Sequence, residues 1–443
     1  MAASAAAVAV AAVGAAAVAE SDRPRVTIRS TALDSGLRVV TEAMPELRSV
    51  ALGYWVATGS RDETDRIAGA SHFLEHLLFK GTDGRSAHEI ADAVESVGGD
   101  MNAFTTQELT AFYVRVPDDQ LELALDILAD IFWTPALRDD EIETEREVIL
   151  EEIKMHDDAP DDLVHDLFGE ALFPGHPLGR PVAGTDATIS AMARGEIASY
   201  HHDHYRPGAV VVAAAGRVEH DVIVERVGAA ATAKVGPGGA SERAITDEMA
   251  PPEPVRVVRR PTEQVHVVTG MRGLRRNDAD RYALAVLNQA LGGGMASRLF
   301  QEVREKRGLA YSVYSFRAGF AETGVFGVYV GTGPERAPEA LKVVHGELDK
   351  VVADGISDAE VDAAKGNLRG SMALSLESSH SRMNRIGSAE LMLGEIQSID
   401  EIVAAVDAVT PDDVARVIDR VLATDERTLA AVGSIDEDAL LAR

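Results

Sequence analysis

The stretch "YWVATGSRDETDRIAGASHFLEHLLFKG" (Tyr54–Gly81) decides the fold, because a distant copy of it stands in the second half of the chain as "HVVTGMRGLRRNDADRYALAVLNQALGGG" (His266–Gly294). Each copy opens on a β-rich run and continues into a helical pattern, Ser71–Gly81 in one and Leu284–Gly294 in the other. Each is followed by a second helical segment that passes through glycine into a strand: "AVESVGGDMNAFTT" (Ala93–Thr106) against "EVREKRGLAYSVYS" (Glu302–Ser315). Strands and helices are interspersed and hairpin turns recur, as at Asp34-Ser35-Gly36 between two alternating apolar runs. That pattern predicts an α+β protein of two homologous domains, each a mostly antiparallel sheet packed with helices, and not a doubly wound parallel sheet.

Outward from this repeat, Arg25–Glu42 reads as a strand pair, Ser49–Thr58 and Ala209–Gly216 as strands, and Met101–Val116 as a β-branched, aromatic-rich strand-like run. Helical patterns cover Ala68–Phe79, Ala87–Val97, Leu121–Trp133 and Asp139–Met155. Residues Gly236–Pro254, "GPGGASERAITDEMAPPEP", lack apolar periodicity and read as a linker. The expected layout is a disordered Ala-rich extension over 1–22, a first domain over 23–235, the linker over 236–254 and a second domain over 255–443. Met1–Glu20 has no Lys or Arg ahead of its apolar run, as a signal peptide would, and alanine is too weakly apolar for a membrane span. The expected location is cytoplasmic, with export left open by that segment.

The chain has 443 residues, of which 46% are apolar and 26% charged, an ordinary balance for a globular protein. Its formal net charge of −29 repels phosphate backbones and anionic lipid, which argues against nucleic acid as a partner. There are no cysteines, so disulfides, thiolate metal sites and cysteine nucleophiles are excluded. A metal would have to sit on histidine and carboxylate.

His72-Phe73-Leu74-Glu75-His76 offers such a site. Residues four apart share a helix face, so His72 and His76 can present two imidazoles to one ion. Glu75 flanks the same face and can serve as base to a water that zinc has made acidic. H-x-x-E-H is the reversed form of H-E-x-x-H. A catalytic zinc takes three protein ligands and leaves a position for water. The acidic helix from Asp139 to Asp158 is the source for the third, but it holds Glu141, Glu143, Glu145, Glu147, Glu151 and Glu152. Glu145 and Glu152 are seven apart and share a face near Val148 and Ile149; composition alone does not choose among the six.

The stretches "GSRDE…GASHFLEHLLFKGT", "NAFTTQELTAFYVRV", "EREVILEEIKMHDDAPDDLVHDLFGEALFPGHPLGRPVAGT" and "SRLFQEVREKRGLAYSVYS" resemble the pitrilysin-type zinc metallopeptidases, which include mitochondrial processing peptidase, insulin-degrading enzyme and short bacterial relatives. The resemblance spans nearly the whole chain from about Arg25. It implies one zinc per chain held by His72, His76 and Glu152, with Glu75 as general base and Glu145 in a supporting catalytic role. It implies an edge strand beside the zinc, with Asn102, Ala103 and Phe104 lining the cleft. It further implies that Arg304 and Tyr311 contact peptide substrate near the scissile bond, with Arg307 and Tyr314 as a second pair at the same spacing.

Where the first half has His72, Glu75 and His76, the second has Ala285, Asn288 and Gln289, and so no metal set. "SYHHDHY" (Ser199–Tyr205) clusters His201, His202, Asp203 and His204, but no acid nearby is placed as a base, and a surface turn is the expectation. The implied activity is endopeptidase cleavage of unfolded peptides or presequences. The alternative is a non-catalytic or peptide-binding subunit, against which the intact set of four argues. One chain supplies one pair of domains, half of a clamshell chamber in the resembling enzymes. The expected assembly is a homodimer, or else a heterodimer with a zinc-less paralogue.

Overall fold

The computed structural model describes residues 27–441, apart from 237, 240–242, 244, 246 and 247. The extension expected over residues 1–22 lies outside the described residues. Two sheets form. The first contains β1 (Thr27–Ala32), β2 (Arg38–Ala43), β3 (Ser49–Val56), β4 (Asp100–Thr105), β5 (Thr110–Pro117) and β6 (Val210–Gly216), in the order β1-β2-β6-β3-β5-β4. The second contains β7 (Val255–Arg259), β8 (Val265–Gly273), β9 (Ser312–Gly319), β10 (Gly324–Thr332) and β11 (Thr428–Gly433), in the order β7-β11-β8-β10-β9.

With β1 set aside, the two orders correspond strand for strand. The parallel pairs correspond as well: β2 with β6 and β7 with β11, every other pairing being antiparallel. The α+β class and the internal repeat are therefore present in the backbone. The run Met101–Val116 is two strands, not one: Thr106 donates its N–H to the Leu109 carbonyl and closes a turn between β4 and β5. That hairpin leaves β4 as the edge of the first sheet.

Each sheet is covered on one face by a helix from the opposite half of the chain. The helix Ser379–Leu393 lies against the first sheet, where Met383 and Ile386 join Val40, Ala51, Trp55 and Val211 in a buried cluster. Close packing requires glycine at one point: a Cβ on Gly387 would lie 2.7 Å from the Trp55 indole. Glu42 on β2 is fully buried and pairs with both Arg382 and Arg385 of this helix. In return, the helix Pro160–Leu172 sets Val164, Phe168 and Leu172 against Val268, Val325, Ala430 and Val432 of the second sheet. Arg272 on β8 donates to the Leu172 carbonyl at 3.0 Å and so satisfies an orphan acceptor at that helix's C-terminus. Burying each large apolar side chain contributes about 1.5–3 kcal/mol, so the exchange binds the halves together strongly.

An ionic network adds to it. Buried Arg61 donates to Glu108 at 2.6 Å and to Glu322 at 2.8 Å, and Arg276 reaches Glu108 at 2.6 Å. Arg243, within the linker, pairs with Asp62, so this part of the linker is anchored. Among the described residues, no helix is long and apolar enough to cross a membrane.

Removing one partner of a buried pair strands the other charge. Glu42→Ala is expected to lower stability by about 3 kcal/mol, read as a lower urea midpoint, because two arginines then face an apolar interior. A midpoint within error of the unsubstituted protein would contradict the clasp.

Candidate metal centre

The helix carrying the motif spans Ala70–Leu77. Phe73, Leu74 and Leu77 bury one face of it in the core of the first sheet. That packing turns His72, Glu75 and His76 toward β4 and the acidic helix, Asp139–Asp158. The two imidazoles stand edge to face with centroids 4.8 Å apart. Ile149 anchors the acidic helix in the core, whereas Val148 is largely exposed. Anchored so, the helix brings Glu152 to 3.7 Å from His72 Nε2 and 3.4 Å from His76 Nε2.

These three are the group among the described residues that could hold a metal ion. Zinc bonds of about 2.0–2.1 Å imply a tetrahedral edge of about 3.3 Å, close to the observed separations. Two imidazole nitrogens and a carboxylate oxygen are also a donor set that suits zinc. The residues fit the ion.

Glu145, two turns before Glu152, is buried behind His76, with Oε2 3.1 Å from Nδ1. Its other oxygen meets Lys80 Nζ at 2.6 Å. A proton on Nδ1, donated to Glu145, leaves the Nε2 lone pair facing Glu152 and the open side. Lys80 was not singled out in the sequence; its spacing of four from His76 is the signal that could have found it.

The local electrostatics agree with these positions. Burial, reinforced by His76, pushes the His72 imidazole down to about 4, so it is neutral near pH 7. For His76 the desolvation is outweighed by Glu152 and Glu145, which raise it. The His76 hydrogen bond holds Glu152 below the usual carboxylate range. Burial pushes Glu75 above that range, with Thr105 and His76 opposing.

Glu75 stands between two clefts. One, of about 500 Å³, is lined by His72, Phe104, Thr105, Glu152 and Asp166 among others. The other, of about 210 Å³, is lined by His76, Lys80, Asn102 and Glu145. Asn102 and Phe104 thus line the clefts. Ala103 does not present its side chain there. Strand alternation buries its methyl in the core, and only its backbone lies on the edge, where its N–H meets the Asn102 side chain at 2.8 Å.

Arg304 and Tyr311 are not brought to the histidine pair. Arg304 stacks on Tyr311 and Phe300, donates to the Tyr311 carbonyl at 2.9 Å, and leaves the tyrosine ring mostly exposed. Arg307 pairs with Glu302, and Tyr314 meets His165. In "SYHHDHY" the side chains diverge: His201 bonds the Phe132 carbonyl, His202 Arg206 and His204 Thr58. Ala285, Asn288 and Gln289 lie on the helix Arg281–Gly292 of the second half.

Comparison with known proteins gives a consistent picture. Residues 38–186 match the family described as insulinase (peptidase family M16), and residues 191–368 match the peptidase M16 inactive domain. The chain is 47% identical over 420 residues to an uncharacterized zinc protease of Streptomyces coelicolor, covering 93% of this chain and 90% of that one. It is 40% identical over 407 residues to the uncharacterized zinc protease YmxG of Bacillus subtilis, covering 91% and 98%. A peptidase M16 inactive domain from Pseudomonas fluorescens shares the fold with a TM-score of 0.86 at 23% identity, covering 92% of this chain and 98% of that one. A protease from Helicobacter pylori does so with a TM-score of 0.84 at 24% identity, covering 92% and 99%.

Dialysed protein is expected to retain one equivalent of zinc, and His72→Ala and Glu152→Ala to lose it. Glu145→Ala should keep the ion with affinity lowered about 10–100-fold, as loss of a partner behind a ligand does. Competition against a chromophoric chelator reads all three. Equal affinity in Glu152→Ala and the parent would remove Glu152 from the set.

Proposed function

The chain belongs to the insulinase (M16) family of peptidases, and from that premise we propose that it is a zinc-dependent endopeptidase acting on unfolded, presequence-like peptides with Glu75 as general base. The Streptomyces and Bacillus relatives are zinc proteases by name. The observation that carries the reading is the position of Glu75, beside a three-donor cluster and between two clefts that adjoin a sheet edge.

When bound, zinc supplies Lewis-acid polarisation of a carbonyl and acidifies water. His72, His76 and Glu152 would hold it, and Glu145 with Lys80 fixes the His76 ring. The outer edge of β4 offers backbone groups to an extended peptide, which gains affinity with little side-chain demand. Glu75 takes the proton of the attacking water as its oxygen adds to the scissile carbonyl carbon, then returns that proton to the leaving amine as the C–N bond breaks. A carboxyl whose burial raises it above the ordinary range suits a group that must both accept and return a proton.

The larger cleft supports a preference for cationic substrate segments. Asp157, Asp166, Glu170 and Asp186 line it together with Glu152. Burial pushes Asp166 upward, a cost that a lysine or arginine side chain seated there offsets, whereas Glu170 already pairs with Arg256. The net charge of −29 favours encounter with basic peptides.

We also propose a homodimer. Among the described residues the second half carries no metal set, and mostly exposed Tyr311, with half-buried Arg304 stacked on it, would serve a site outside its own chain's cluster.

Glu75→Gln is expected to bind zinc as the parent does and to lose peptide hydrolysis by about 10²–10⁴-fold; undiminished cleavage would sink the assignment. Sedimentation of the active protein should give twice the chain mass. A fully active monomer would overturn the dimer.

A further inference from the structure

The motif helix begins without a cap of its own. Its N-cap residue is Gly69, at φ +94°, and no side chain is tolerated there. A Cβ on Gly69 would lie 2.6 Å from the Ala183 carbonyl oxygen and 3.0 Å from Gly184 Cα. Gly184 is restricted in the same way, since a Cβ on it would lie 2.4 Å from the Ala68 carbonyl oxygen. The two segments cross glycine on glycine, which excludes the usual Ser, Thr, Asp or Asn cap. The helix has only 8 residues, too few to hold its first turn by intrinsic propensity, and His72 lies in that turn.

Glu63 supplies the cap from outside the helix. Its buried carboxylate accepts the Gly69 N–H on Oε2 and the Ser71 N–H on Oε1, both at 2.7 Å. A negative group at a helix N-terminus is also favoured by the helix dipole. The loop bearing Glu63 is itself fixed. Arg180 donates to the Glu63 carbonyl at 2.8 Å and pairs with Asp65 at 2.6 Å. From the other side, the Ser71 hydroxyl meets Tyr200, which in turn meets Thr58. One carboxylate therefore holds the N–H groups of the residues on either side of Ala70, directly ahead of His72.

We propose that Glu63 is a positioning residue for the metal centre: by gripping the Gly69 and Ser71 amides it sets the first turn of the motif helix and hence the direction of the His72 imidazole. The inference rests on reading His72, His76 and Glu152 as the zinc site. Glu63 bonds neither the three donors nor the cleft-facing side of β4, so its effect passes through the backbone. Nothing in its sequence position announces this; only the glycine crossing makes a cap in trans necessary.

The test compares cobalt(II)-loaded parent, Glu63→Gln and, as a control, Ile386→Val in the helix Ser379–Leu393. Glutamine keeps the size of the side chain but has one acceptor oxygen where two are used. Glu63→Gln should shift the cobalt d–d absorption bands and raise the zinc Kd on the order of tenfold. Ile386→Val should lower the melting temperature while leaving bands and Kd unchanged. If the parent binds neither ion, the metal reading itself fails. If the parent binds and Glu63→Gln matches it in bands and Kd, the metal site stands and the role of Glu63 falls. That role falls too if Ile386→Val shifts the bands equally, since the effect is then general loosening. Should Glu63→Gln not fold, hydrogen exchange of the unsubstituted protein decides. The Gly69 and Ser71 amides should exchange on the order of a hundredfold slower than free amides, and free exchange at either overturns the cap.

Discussion

Everything at the candidate site depends on keeping one carboxylate within a few ångströms of two imidazoles that come from a different helix. Glu152 lies 3.4 Å from His76 Nε2, and its side chain is half exposed. Its position is set by the helix it stands on. That helix is anchored upstream by buried Ile149 and ends at Asp158, with only Ala159 between it and the helix Pro160–Leu172. The following helix is bound to the second sheet through Val164, Phe168 and Leu172. The half in which no metal set is found among the described residues therefore helps to hold the candidate ligand Glu152 in place.

The same economy appears in the charges. Glu145 is a buried carboxylate and would be costly alone, but Lys80 and the His76 ring satisfy its two oxygens. That pairing chooses the imidazole tautomer. Glu63 is likewise buried, and burial pushes its carboxyl up to about 7, against the Ser71 and Gly69 N–H groups that favour its ionised form. Each buried acid around the motif helix thus orients a group that the site uses. In both cases desolvation is tolerated because hydrogen bonds from fixed donors replace those of water.

Much of this was legible in the sequence, and the boundary has physical causes. The spacing of His72, Glu75 and His76 needs only the period of a helix. The α+β class needed only a recurring pattern of strand, helix, helix and strand, which the matching strand orders of the two sheets repeat. Glu152 was one of six acids by composition, since helical period places several of them on adjacent faces and tells nothing of what docks there. Ala103 was expected in the cleft with its neighbours. Its parity along β4 turns it inward, and parity cannot be assigned until register is known. The exchanged helices were invisible for a related reason: periodicity shows which face of Ser379–Leu393 is apolar but not which sheet receives it. Arg304 and Tyr311 rested on likeness alone, and the fold of a single chain leaves them apart from the histidines.

The repeat also shows where the two halves part. β4 and β9 occupy the same edge position in their sheets, and in each half a helix lies farther upstream of that strand, Ala70–Leu77 in the first and Arg281–Gly292 in the second. In the first half that helix presents His72, Glu75 and His76; in the second it presents Ala285, Asn288 and Gln289, which can neither bind an ion as that set does nor accept a proton from water. An edge strand without a nucleophile beside it can still pair with an extended chain. The half without the histidine pair is therefore the frame against which the helix of Glu152 is set, since Val164, Phe168 and Leu172 seat the following helix on its sheet.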